Sequence, residues 1–215
     1  MPALGATFAI LVALTLANEA GYLSSAQQIV SNEAADSARL AWAATMPGVR
    51  RERIQTALAG YLRATRKSEW HGANAANGND RATSHAIGQL EEVVRTEASS
   101  ARLGTPSSNE LLTAVDALAS DRRARLAAAS REPPSLYVIT LATSGAALIA
   151  NAAALTIRTR RRVSLLIAGL TIVIGLSLAL LFALGTPWRG PIVVSGHPID
   201  TVIHDLATGY FRAGG

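Results

Sequence analysis

The chain has 215 residues and is unusually apolar, with 49% hydrophobic and only 16% charged residues. Soluble domains carry about 25% charged residues, so the composition argues against an ordinary soluble domain. The absence of cysteine excludes disulfides, thiolate catalysis and iron–sulfur clusters. The net charge of +5 does not indicate a nucleic-acid partner, because residues 30–133 hold fourteen basic and twelve acidic residues and offer no broad basic face.

Residues 1–23 are predicted to form a first transmembrane helix, over about Ala3–Tyr22. The run is apolar and has no basic residues before it, whereas a cleavable signal peptide normally begins with a positive segment. We therefore favour a retained span over a signal peptide. Asn18 and Glu19 fall near its far end, where polar residues more often lie at the membrane interface than in a pore.

Residues 24–132 are predicted to form an extramembrane domain of four helices. The first covers about Ser24–Thr45 and continues the first span. The second covers about Val49–Trp70, the third about Ala82–Ser100, and the fourth opens with a capping box formed by Ser107 and Glu110. A glycine- and asparagine-rich loop, residues 71–80, separates the second helix from the third. The three arginines at 122, 123 and 125 are interpreted as a solvated or paired helix face, with anion binding as the alternative.

Residues 133–157 and 163–186 are predicted to be the second and third transmembrane helices, because each is charge-free and longer than the roughly 20 residues that a bilayer requires. The alternative is a buried helical hairpin in a soluble protein. The basic turn between them, residues 158–162, carries four arginines and no acid, so we expect it in the cytoplasm. The helical domain is then expected outside the cytoplasm. Nineteen of the twenty basic residues are arginine and the chain is rich in alanine, which indicates a GC-rich bacterial genome, so we expect a multi-pass protein of the bacterial inner membrane.

Residues 187–215 are predicted to be an extramembrane tail. Ile192, Val193, Val194, Ile199, Val202 and Ile203 need cover from water, so we expect the tail to lie against the helical domain. No convincing strand precedes residues 192–194, and the fold class is all-α.

No arrangement of residues typical of an enzyme or a metal site is present, so we expect neither catalysis, nor a cofactor, nor a metal. The four histidines lack the close helical pairing of a zinc site. The candidate pore residues are the polar side chains of the spans: Asn18, Glu19, Thr140, Thr143, Ser144 and Asn151. Their alternative role is to hydrogen-bond neighbouring helices to one another.

Four stretches resemble the bacterial bestrophin-like family, catalogued as domain of unknown function number 4239. They are NEAADSARL after the first apolar helix, AGYLRATRKSEW, RRARLAAA before the proline pair and the two-span hairpin, and TPWRGPIVVSGHPIDTVIHDL. The resemblance covers nearly the whole chain. The residues that carry it are Glu33, Tyr61, Glu69, Trp70, Arg122, Arg125, Pro134, Pro187 and Gly190.

The resemblance implies an integral membrane protein that forms homo-oligomers in the bilayer and conducts an ion, as bestrophin anion channels do. Bestrophins hold their large helical domain in the cytosol, whereas the arginine turn of this chain places it outside. The alternative function is a non-conducting membrane scaffold or sensor whose helical domain binds a partner.

Overall fold

The structure is a computed structural model that describes residues 2–70, 75, 78, 80–131, 135–156, 168, 171–177, 179–180, 183, 188 and 193–212. These residues are helical or irregular, and no strand occurs among them, as the all-α prediction requires. The chain divides into two compact units. The first comprises residues 1–24 and 132–193, and the second comprises residues 25–131 and 194–215.

The longest helix, α1, runs without a break over Pro2–Ala43, so its N-terminal part belongs to the first unit and the rest to the second. Its stretch Phe8–Ala43 is the one segment, among the described residues, that is long and apolar enough to cross a membrane by length and composition. A signal sequence near an N-terminus passes the same test, so retention of this span stays a prediction. The count of three membrane spans is not confirmed.

The first unit also contains α5, Ser135–Thr156, and the helical residues 171–177, here named α6. Phe8 and Val12 of α1 form a small core with Ile174 of α6. Gly145 of α5 allows this close packing, because a Cβ at that position would lie 3.0 Å from Cγ2 of Ile174. The helix α5 falls inside the predicted second span, while the basic turn at residues 158–162 lies outside the described residues.

In the second unit, α2 covers Arg51–Ser68, α3 covers Arg81–Ala98 and α4 covers Thr105–Ser130. The helix α3 packs against both α2 and α4. Each buries one apolar stripe at the helical period, as expected for surface helices around a shared core. Side chains with no exposed surface line this core: Leu40, Ile54, Leu58, Leu62, Leu90, Leu111 and Leu118.

The predicted capping box at the start of α4 is wrong. The helix begins at Thr105 with Gly104 as its N-cap and Pro106 in its first turn, so Ser107 already lies inside the helix. Glu110 makes an ion pair with Arg39 of α1, at 2.7 Å between Nε and Oε1. Proline in the first turn is itself a signal for the start of a helix, because backbone N–H groups have no intrahelical partner there and proline loses nothing by lacking one.

The tail contains a helix that the sequence analysis did not predict, α7, over His197–Thr208. Pro198 lies in its first turn, and Gly209 ends it in the left-handed conformation with φ 77°. The helix packs on α2 and buries Ile199 and Val202, which confirms the prediction for the described part of the tail, although Val193 is exposed. Gln55 of α2 also contacts the end of the tail, because its side-chain amide donates a hydrogen bond to the carbonyl of Phe211 at 3.1 Å.

Candidate functional site

A cluster of charged and aromatic side chains lies inside the second unit, where α1, α2 and α4 meet. It is named here the buried hub, and its members are Glu33, Tyr61, Glu69, Trp70, Arg122 and Arg125. All six belong to the residues that carry the family resemblance. Glu33, Glu69 and Arg125 have no exposed surface, which is rare for charged residues and requires that each be paired.

Glu33 reaches this position because α1 presents one stripe to the core. Ala26, Val30, Ser37 and Leu40 share the stripe and are buried with it. Their spacing of three or four residues is that of one helix face. A carboxylate on such a face is desolvated, and only strong hydrogen-bond donors can compensate for the lost water.

Arg125 of α4 supplies these donors. Its Nε lies 2.7 Å from Oε2 of Glu33, and its Nη2 lies 3.1 Å from Oε2 of Glu69. Its Nη1 donates to the backbone carbonyl of Glu69 at 3.2 Å. Burial is the largest single effect and disfavours the charged guanidinium, but the charges of Glu33 and Glu69, the contact with Tyr61 and the hydrogen bond to Glu33 together outweigh it and raise the pKa of Arg125 above its usual value. One cation therefore joins the three helices.

Tyr61 of α2 completes the coordination of Glu33. Its hydroxyl donates to Oε1 of Glu33 at 2.5 Å. Burial, together with the negative charge of Glu33, holds the pKa of Tyr61 well above its usual value. The phenol consequently keeps its proton and remains a donor over the whole physiological range of pH.

Glu69 follows α2 and accepts from a second arginine. Arg122 contacts both carboxylate oxygens, with 3.2 Å between its Nε and Oε2. Two carboxylates and two guanidinium groups thus lie together, and their charges cancel. Paired charges of this kind leave no excess charge to attract an ion, so the hub is suited to holding helices in place rather than to binding an ion.

Trp70 is the largest side chain of the hub and is 1% exposed. The guanidinium of Arg125 lies 5.8 Å from the centre of its ring, and that of Arg66 lies 4.5 Å away, within cation–π range. Arg66 also pairs with Asp200 of α7, at 2.7 Å between Nε and Oδ1. Gly196 leaves space for Arg66, since a Cβ there would collide with the guanidinium of Arg66.

The predicted pore residues belong to α1 and α5. Glu19 is buried, with 7% of its surface exposed, while Asn18 and Thr140 are exposed. Thr143 is exposed as well, and its hydroxyl donates to the carbonyls of Ile139 and Thr140 in its own helix. Ser144 is half-buried. Asn151 lies in α5, but its side chain is outside the described residues. The pore roles of all six residues stay predictions.

Three of the residues that carry the resemblance, Pro134, Pro187 and Gly190, also lie outside the described residues.

Within the described part of the chain, no group of three or more histidine, aspartate or glutamate side chains could hold a metal ion. The histidines at 85, 197 and 204 are exposed. The placement of Arg122 and Arg125 agrees with the paired-face interpretation of the arginine cluster, and Arg123 is exposed.

Two interactions of the second unit escaped the sequence analysis. The first is the link from Arg66 to Asp200, for which α7 had to be recognised. The second is Glu97, which is fully buried and lies 2.7 Å from Nε of Arg50. Glu97 extends the apolar stripe of Ile87, Leu90 and Val94, and that periodicity could have indicated a buried acid.

Comparison with known proteins agrees with the sequence resemblance. Neither curated proteins nor solved structures give a match to this chain. The model of the Bestrophin-like domain matches residues 1–199, a range that includes every residue of the buried hub, the whole first unit and most of the second, although it does not confirm the catalogue number of the family. A match over so much of the chain shows that this protein belongs to the Bestrophin-like family.

Proposed function

We propose that this protein is a subunit of an oligomeric membrane channel that conducts anions. The observation that carries the proposal is the Bestrophin-like match over residues 1–199, because the bestrophins are anion channels and the family implies a membrane protein. Membership of a family does not by itself show that this chain transports ions. The side chains of the first unit therefore provide a second, independent argument for the proposal.

The first unit exposes large apolar side chains to an unusual degree. Ile10 and Leu14 of α1 are both 60% exposed, and Ile172 and Leu176 of α6 are 67% and 71% exposed. Ile139 of α5 is 57% exposed. In water such surfaces would associate or aggregate, whereas lipid tails or neighbouring subunits would cover them. The exposed surface therefore supports three lipid-embedded helices and an oligomer.

Glu19 is the residue of α1 that best fits a role in an ion pathway. It is an ionisable side chain in the otherwise apolar N-terminal part of α1, and it is buried. Charged groups inside membrane segments are costly, and where they occur they commonly mark a pathway or a paired site. We propose that Glu19, with Asn151 of α5, sets the conductance.

The test is current through planar bilayers that contain the purified full-length protein, measured under a chloride gradient. We expect a current whose reversal potential follows chloride, and an altered unitary conductance in Glu19→Gln and Asn151→Leu. Ile10→Leu, on the exposed side of the same helix, should leave the conductance unchanged. Absence of current at all voltages and salts would contradict the channel and favour the scaffold.

One observation favours that alternative. An open groove of about 1070 Å³ lies between α2 and α3 and includes Gly60 and Gly88. Neither glycine has an atom within 4 Å of the position of an added Cβ, so the backbones are accessible there. A partner helix could approach closely at such a surface. A scaffold or sensor would use this groove without any current.

A further inference from the structure

A second group of acids lies one helical turn from the buried hub and has no role in it. Asp36 of α1 and Asp121 of α4 meet through their side chains. The ion pair between Glu33 and Arg125 fixes this register, because one turn onward along α1 corresponds to one turn back along α4. Two side chains that are both negatively charged when ionised thus face one another across the contact between α1 and α4.

When both carboxyl groups are ionised, one buried oxygen of the pair has no hydrogen-bond donor. Oδ2 of Asp121 is buried and has no donor. A carboxylate has only acceptor atoms, so a second carboxylate cannot satisfy it. A single proton placed between the two groups removes the repulsion and supplies the missing donor, as in other closely spaced carboxyl pairs.

We propose that Asp36 and Asp121 share one proton and form a pH-dependent clamp between α1 and α4. In the protonated state a hydrogen bond joins the two helices beside the buried hub. In the ionised state two negative charges face each other, and the contact weakens. The proposal concerns the helical domain alone and does not depend on ion conduction.

The surrounding charges agree with this assignment. Burial, the contact with Asp36 and the charge of Glu33 raise the pKa of Asp121 to about 6. The neighbouring cations pair with other acids, Arg125 with Glu33 and Arg39 with Glu110, and Arg39 attracts Asp36 only as its weakest interaction. Of the other charged groups of α4, Arg122 pairs with Glu69 and acts on Asp80, while Asp116 and Arg123 are exposed.

The sign of the pH effect follows from the direction of the shift. The folded chain binds this proton more tightly than the unfolded chain does. The extra stability is therefore complete below the usual value of 3.8 and is lost as the pH rises through about 6. The shared proton makes this a property of the pair rather than of Asp121 alone.

The first test is carboxyl carbon-13 NMR of full-length protein in detergent, labelled at aspartate. We expect one aspartate resonance with a midpoint near 6 in the wild-type protein and in Asp116→Asn, an exposed acid on the same helix. The resonance should be lost in Asp121→Asn and Asp36→Asn. Ordinary midpoints for every aspartate of the wild-type protein would overturn the proposal, whatever the variants do.

The second test is the melting temperature between about pH 4.5 and 8. The wild-type value should fall as the pH rises through the midpoint. Asp121→Asn carries a permanent donor toward Asp36, so its melting temperature should lose that part of the slope, while Asp116→Asn should keep it. An unchanged slope in a folded Asp121→Asn protein would contradict the clamp.

Discussion

The guanidinium of Arg125 is the one group, among the described residues, that pairs with two buried carboxylates, one from α1 and one from the end of α2. Replacement of Arg125 by methionine would keep most of the volume but leave Glu33 and Glu69 without this partner. Removing one member of a buried ion pair costs about 3–5 kcal/mol. We expect Arg125→Met to lower the free energy of unfolding by that amount, measured by denaturant unfolding in detergent.

Arg123→Met is the matched control, because Arg123 lies two residues away on the same helix and is exposed. It should change stability by no more than about 0.5 kcal/mol. Equal effects of the two substitutions would mean that the hub does not hold the helices together.

Tyr61 provides an alkaline test of the hub. Its raised pKa means that the unfolded chain ionises first, so stability is complete below the usual value of 10.0 and falls as the pH rises above it. We expect the absorbance of tyrosinate to appear in two stages, one of them only on unfolding. Tyr61→Phe should abolish the late stage and cost about 1–2 kcal/mol at neutral pH through the lost donor.

Tyr210→Phe is the control for that titration, since Tyr210 is 63% exposed. It should leave the late stage intact. If Tyr61→Phe kept a tyrosine that titrates only on unfolding, the assignment of the buried phenol would be wrong.

At this scale, sequence reasoning identifies the hub residues but not their partners. Glu33 was singled out by resemblance, and the apolar stripe of α1 on which it lies also marks it as buried. Its partner Arg125 is 92 residues away in the chain. Arg122, Arg123 and Arg125 are chemically alike, and only the tertiary packing decides that two of them turn inward while Arg123 faces water.

Helix ends show where local sequence signals succeed and fail. Asp80 caps α3, because its carboxylate accepts from the backbone N–H of Thr83 at 2.9 Å. This contact also lowers the pKa of Asp80. Ser107 occupies a position that looked like a cap but lies within α4. We expect Asp80→Ala to lower the melting temperature and Ser107→Ala to leave it nearly unchanged.

The pH dependence separates the two substitutions further. The contribution of Asp80 is complete above the usual value of 3.8 and is lost as the pH falls, so the difference between the wild-type protein and Asp80→Ala should shrink in acid. A larger effect of Ser107→Ala than of Asp80→Ala would restore the capping box and contradict the observed start of α4.

The boundaries of the predicted helices are close to those observed, because α2 and α3 carry strong apolar periodicity and clear breakers. The helix α7 was missed although its signals are present. Pro198 begins it, Gly209 ends it, and Ile199 and Val202 share one face. The β-branched residues 192–194 before it favour a strand. The helix itself has only twelve residues, and apolar periodicity is a weak signal over so short a segment.

For the whole molecule, the two units differ in what they expose. The charged side chains that the second unit buries are paired, whereas the first unit exposes isoleucine and leucine on α1, α5 and α6. That contrast supports a membrane location of the first unit. The side of the membrane on which the second unit lies follows only from the arginines of residues 158–162, because orientation is set by charge in short loops and not by the fold of a domain.

The cysteine-free chain permits a direct test of orientation. Arg123→Cys introduces a thiol at an exposed site of the helical domain, and Thr159→Cys introduces one in the basic turn while keeping its four arginines. In cells whose outer membrane is permeabilised, a membrane-impermeant maleimide should label position 123 and spare position 159. Detergent should expose both. The reverse pattern would place the helical domain in the cytosol, as in bestrophins, and would show that the arginine turn does not govern the topology of this chain.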